Sequence, residues 1–263
     1  MTKEVKIGVN VNLKPVELVE SIKKGYSKPQ CIRFSDGHKY VVKFKNNPSG
    51  TRILVNEYIA AKFGQLLSLP VVPFEVVQIS DAFIKDYPIL SKHKFTSGSQ
   101  FASLFIDNCI HLDMRSRNEN IIVSNRKHLA GTIVFDLWIG NTDRKENNFL
   151  LEPVRNGEYY LHLIDHGRCF SDEDWTVKSL IKMPDMNIKQ NVHKWLASLL
   201  PNQNELLKAI EKVVNISEKA IYNIINSIPD DWDVLDKERE ALVTHLVSGQ
   251  KLLPQLRLPS IKK

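Results

Sequence analysis

Asp136-Leu-Trp-Ile-Gly-Asn-Thr-Asp143-Arg-Lys-Glu-Asn-Asn148-Phe-Leu-Leu151 is the stretch on which the rest of the chain turns, and Leu163-Ile-Asp165-His-Gly167 is its echo. Asp143 and Asn148 stand five positions apart, with polar residues between them and the apolar run Phe149-Leu150-Leu151 directly after. Asp165 follows 22 residues beyond Asp143, at the end of the apolar-rich run Tyr159–Ile164. Phosphoryl transfer from ATP asks for this set. One carboxylate orients the attacking hydroxyl, while an Asn and a second carboxylate hold Mg²⁺ against the phosphates. Two carboxylates about 4 Å apart repel by about 4 kcal/mol at an effective dielectric of 20. Dependence on a bound cation, which inverts that balance, is therefore an expectation of the constellation itself.

Upstream, Lys43 lies on the strand-like run Tyr40-Val-Val-Lys43-Phe44. A lysine among apolar residues on an interior strand is costly unless its ammonium finds a partner. Glu57, fourteen residues on and midway along the next helix, is the natural partner, and Lys43 then reaches the nucleotide phosphates. An edge-strand lysine in solvent and an ordinary helix glutamate are the bland alternative. No GxGxxG and no GxxxxGK[ST] occurs. The best phosphate loop is Gly25-Tyr-Ser27-Lys28-Pro29, which reads equally well as the glycine that ends a helix. Arg144 serves as a phosphate or substrate contact, or else pairs with Asp136. His162 and His166 read as structural histidines.

Composition sets limits. The 263 residues are 43% hydrophobic and 25% charged, enough for a sizeable core in one large domain or two small ones. The net charge of +6 is spread along the chain, without the dense Lys/Arg block or reading motif of a nucleic-acid binder. Cys31, Cys109 and Cys169 form no CxxC pair or zinc spacing, which fits a reduced, cytoplasmic protein. No signal-peptide core and no membrane-length apolar run is present.

Along the chain, Val5–Val11 reads as a strand, Pro15–Lys24 as a short helix, and Gln30–Phe34 with Lys39–Phe44 as a hairpin turning at Asp36-Gly37. Thr51–Leu67 is a long helix. Phe74–Ile79 and Ala82–Ile84 read as strands and Gln100–Ile110 as a helix. Arg126–Ile139 is a buried helix, followed by the strand pair Phe149–Pro153 and Tyr159–Ile164, closed around the hairpin turn Arg155-Asn156-Gly157. Helical patterns follow at about 175–183, 189–199, 203–213, 217–226 and 236–248. The expected architecture is α+β and two-lobed: a small sheet-rich lobe over residues 1–90 with one long helix, a mostly helical lobe over 91–263, and a border near 85–98. A nucleotide would sit in the cleft between them.

These residues resemble the HipA-like serine/threonine kinases of bacteria. The likeness rests on Ile139-Gly-Asn-Thr-Asp143-Arg-x-x-x-Asn148 with Ile164-Asp165, the Lys43 strand, the Asn56-Glu57 helix and Ile228-Pro-x-x-Trp232, over about residues 20–235. The spacing is also similar to that of phosphatidylinositol 3- and 4-kinases. The resemblance implies a protein kinase-like fold, ATP with Mg²⁺, and a protein hydroxyl as acceptor. It implies Asp143 as catalytic aspartate, Asn148 and Asp165 as metal ligands, and Lys43 as phosphate lysine. His fills position 166 where the family has Arg or Lys, and Lys145 replaces a His; neither change removes a metal ligand. A kinase for a small molecule or inositol lipid, and a catalytically silent nucleotide-binding module, are the competing readings.

Overall fold

The computed structural model describes residues 13–23, 25–113, 121–170, 174–182, 188 and 190–256, and statements of structure concern these. The strand expected at Val5–Val11 lies outside them. Contacts gather the chain into two compact units: the N-terminal part up to Leu54 with Val72–Phe105, and Val55–Val71 with the chain from Ile106 onward.

The first unit is built on an antiparallel five-stranded sheet of β1 (Pro15–Ser21), β2 (Gln30–Phe34), β3 (Lys39–Lys43), β4 (Phe74–Ile79) and β5 (Gly98–Leu104), in the order β1-β2-β3-β5-β4. Strict alternation puts Tyr40 and Val42 of β3 in the core with Ile32, Phe34, Val77, Ile79 and Ala102. Lys39, Val41 and Lys43 take the opposite face. The β2–β3 turn is closed by Asp36, whose Oδ1 accepts from the His38 amide, and by Gly37 at a φ of +83°.

Three expectations are corrected here. Pro15–Ser21 is a strand, not a helix. The apolar residues at 18, 19 and 22 and the Pro at the start suggest a helix, but the segment pairs with β2, with two irregularities, and pairing overrides that spacing. Gln100–Leu104 is strand β5, buried between β3 and β4, where pairing on both sides overrides the helix-like spacing of its apolar residues. Ala82–Ile84 belongs to helix α2 (Asp81–Asp86), which Ser80 caps by accepting from the Phe83 amide, and which a second short helix, α3 (Pro88–Lys92), follows.

The long helix α1 (Arg52–Leu66) starts in the first unit and continues into the second. The second unit is centred on α4 (Leu129–Trp138), in which Gly131 alone is not buried. Trp138 at its end donates to the Leu246 carbonyl at 2.9 Å and meets Phe63 edge-on. A four-stranded sheet follows, in the order β6 (Ile110–His111), β8 (Phe149–Arg155), β9 (Glu158–Leu163), β7 (Ile122–Val123), with β7 parallel to β9. The hairpin β8–β9 turns at Asn156-Gly157 as expected. Helices α5 (Val177–Leu180), α6 (Asn191–Ser198), α7 (Asn204–Val214), α8 (Glu218–Asn226) and α9 (Asp236–Leu252) complete the unit, within or close to the ranges read from periodicity. Trp232 packs edge-on against Tyr58, whose hydroxyl donates to the Ser227 carbonyl at 2.9 Å.

Gly64 in α1 shows how closely this unit is fitted. A Cβ there would lie 2.4 Å from Val71 Cγ1. Gly64→Ala gains about 1 kcal/mol of helix propensity, but overpacking costs about 1–3 kcal/mol. The expected net result is a loss of about 1 kcal/mol, read as a lower urea midpoint at unchanged slope.

Candidate active site

The register of the β8–β9 hairpin brings the polar residues of the second unit together. Phe149 pairs with Leu163, so Asn148, just before β8, and Asp165, two residues past β9, leave the same end of the hairpin. The Ile164 amide donates to the Asn148 carbonyl at 3.2 Å and seals that end. Asp143 lies in the turn after α4. Its amide donates to Asn141 Oδ1 at 3.1 Å, and its carbonyl accepts from Asn148 Nδ2 at 2.8 Å.

That last bond settles the orientation of the Asn148 amide. With Nδ2 spent on the Asp143 carbonyl, Oδ1 is the atom of this amide that a cation could take. An amide oxygen and a carboxylate carried at the same end of one hairpin are the donor types a hard cation takes. No group of three His, Cys, Asp or Glu side chains converges among the described residues. A magnesium ion shared with phosphates needs only one or two carboxylates, so the residues present fit such an ion. Asp165 is exposed and has a φ of +58°, a left-handed conformation that Asp tolerates better than most residues and that recurs at functional sites.

Beneath the loop is a buried ion pair. Arg144, with no exposed side-chain surface, donates through Nε and Nη2 to both oxygens of Asp136 at 2.8 and 3.0 Å. Its Nη1 reaches the carbonyls of Asn148 (3.1 Å) and Ile164 (2.9 Å). Asp136 also accepts from Asn141 Nδ2 at 2.9 Å and lies 3.0 Å from His193 Nε2. Burial pushes the Asp136 carboxyl up, but Arg144 and His193 outweigh it and hold it far below its ordinary value. Of the two readings of Arg144, the pairing with Asp136 holds and the nucleotide or substrate contact is corrected: its donors are turned inward and the side chain has no surface to offer a ligand.

Glu57 accepts from the His166 amide at 3.1 Å, and the neighbouring Asn56 donates to the Gly167 carbonyl at 2.7 Å and accepts from Trp175 Nε1. Both residues of α1 thus hold the segment that carries Asp165. His162 meets Glu152, a structural role as expected. Lys145, exposed, contacts Asp143 Oδ1 at 2.5 Å. Cys169 is buried, which pushes its thiol well up; burial also raises Cys109, to about 11, so neither supplies a thiolate.

In the first unit, Lys43 occupies the central strand β3, half-buried and opposite Phe101 of β5. Gly25, Ser27 and Lys28 lie in the β1–β2 hairpin loop, which the Ile22 amide closes on the Pro29 carbonyl at 3.0 Å. Gly25 therefore sits in a hairpin loop rather than at a helix end. Its φ is +103°, that of Lys28 is +50°, Ser27 is buried and Lys28 exposed. Asp136 was legible only as an alternative partner of Arg144. His193 escaped sequence reading altogether, because 57 residues separate it from Asp136 and no local pattern links them.

This α+β, two-lobed arrangement is a protein kinase-like fold. It is similar to the proinflammatory kinase CtkA of Helicobacter pylori, at 15% identity over 94% of this chain and 97% of that one, with a TM-score of 0.57. It is also similar to the Golgi casein kinase with Mn/ADP bound, at 13% identity over 92% and 73% of the two chains and a TM-score of 0.53. None of the curated proteins matches the sequence. The chain belongs to the HipA-like kinase family, whose sequence model matches residues 16–257, and is a kinase. Among the described residues no helix is long and apolar enough to cross a membrane.

Breaking the Arg144–Asp136 pair leaves a buried charge uncompensated, so Arg144→Met should cost about 3–5 kcal/mol at neutral pH. The sign with pH follows from the depressed carboxyl. Its stabilising contribution is present above the ordinary value of 3.8 and is lost as pH falls below it towards the folded-state value. Without Arg144 the same carboxyl is raised by burial and protonates more readily. Urea unfolding at neutral and mildly acidic pH should therefore show the variant's deficit narrowing on acidification.

Proposed function

We propose that this kinase transfers the γ-phosphate of ATP to a serine or threonine hydroxyl of a protein, with Mg²⁺ as the resident cation. The observation that carries this reading is the Asn148 amide, bound through Nδ2 to the Asp143 carbonyl and carried at the same end of the hairpin as Asp165. Asn148 and Asp165 would hold the ion, which when bound neutralises phosphate charge. Asp143, anchored by Asn141 and Asn148, orients the acceptor hydroxyl and takes up its proton. Lys43 and the Gly25–Lys28 loop are assigned to the phosphates, the lysine as a point charge and the loop through Ser27, Lys28 and its amides. Glu57 and Arg144 act through the backbone they hold. Membership of the HipA-like kinase family supports a protein acceptor, and the cytoplasm is the compartment this reading implies.

The test is incubation of wild type and Asp143→Asn with γ-labelled ATP and cell extract, with and without Mg²⁺. Wild type should label protein on Ser or Thr only when Mg²⁺ is present. Asp143→Asn should lose about 10²–10⁴-fold in rate while a thermal-shift assay still registers nucleotide binding. Label confined to lipid or small molecules would replace the acceptor, and equal labelling by both proteins would remove Asp143 from the chemistry. No transfer by wild type would favour a silent binding module.

A further inference from the structure

The end of α4 remote from the catalytic turn opens on a cavity of about 100 Å³. Its lining includes Lys127 and His128 at the start of α4, Glu205, Lys208 and Lys212 of α7, and Leu69 from the segment after α1. Lys208 is paired with Glu205 at 2.9 Å, while no carboxylate among the described residues pairs with Lys127 or Lys212. Ala130 and Gly131 of α4, whose first turn carries no acidic residue, line the same cavity. Three lysines against one glutamate leave the lining with a net positive charge that an anion would neutralise. The volume holds several waters' worth of space, more than a single small ion requires, and lysines are point-charge binders of phosphate. Gly131 lets Leu69 approach as an apolar wall, since a Cβ there would lie 2.7 Å from Leu69 Cδ2.

We propose that this pocket is a second anion site, which takes a phosphate dianion, either free or carried on a phosphorylated side chain. The ten residues of α4, at 1.5 Å each, set it about 15 Å from the turn that bears Asp143. It does not depend on the acceptor assigned above. His128 reports on it directly. Its imidazole is pulled below its ordinary value by burial, then by the charges of Lys127 and Lys212; Lys208 and Glu205 are the other charged groups lining the same cavity. A bound dianion would offset those charges and raise it.

The experiment follows the His128 ring resonance by NMR at low ionic strength while inorganic phosphate is added to the full chain. Parallel titrations use a phosphoserine peptide, its unphosphorylated form, and sodium chloride at matched ionic strength. Saturable movement with phosphate, with the titration of His128 displaced to higher pH, is the expected result. The variant Lys127→Gln/Lys212→Gln, both positions being exposed, should fold with an unchanged urea midpoint and bind about tenfold more weakly, ~1.4 kcal/mol. Tighter binding of the phosphopeptide than of inorganic phosphate assigns a carried phosphate, and equal binding a free one. The proposal is overturned by a resonance that phosphate does not move saturably, by an equal response to chloride, or by undiminished binding in the double variant.

Discussion

One guanidinium holds the chemical end of the second unit together. Arg144 bridges Asp136 on one side and the carbonyls of Asn148 and Ile164 on the other, entirely out of water. Two charges removed from solvent cost several kcal/mol each, and only good geometry with further hydrogen bonds offsets that. Here the pair is bidentate, and Asn141 and His193 take up the remaining capacity of the carboxylate. The net contribution to stability is therefore small compared with what is lost when one partner is removed. What the pair secures is position: the residues before and after two strand ends cannot drift apart while their carbonyls share one donor.

The same logic extends outward along the segment 164–170. Glu57 and Asn56 grip its amide and carbonyl groups from α1, and Phe170 donates to the Ile139 carbonyl at the end of α4. Asp165 is thus the exposed, left-handed residue in a backbone whose neighbours are all tied down. A strained conformation persists only where its surroundings over-determine it, and these hydrogen bonds supply that condition. Preorganisation of this kind is how a site favours a transition state without reorganising at the moment of reaction.

Much of this was legible in the chain. The five-residue step from Asp143 to Asn148, the apolar strands after it, the hairpin turn at Gly157 and the late helices all announce themselves through local spacing. What remained hidden had non-local causes. The helix-like spacing of apolar residues in β1 yielded to its pairing with β2, and that in β5 to the strands pairing on both its sides. Arg144 could be read two ways because burial, not spacing, decides whether a guanidinium faces a ligand or a carboxylate. His193 joins Asp136 only through the packing of α6 beside α4.

The β8–β9 hairpin has two ends with opposite evolutionary freedoms. Its open end carries Asn148 and Asp165 in fixed register, and a single inserted or deleted residue there would turn alternate side chains to the wrong face. The closed tip at Asn156-Gly157 lies about 20 Å away, at roughly 3.4 Å per residue. Lengthening the tip at Asn156 leaves the β8–β9 register behind it untouched, so this fold can acquire decorations there that it could never tolerate at Phe149.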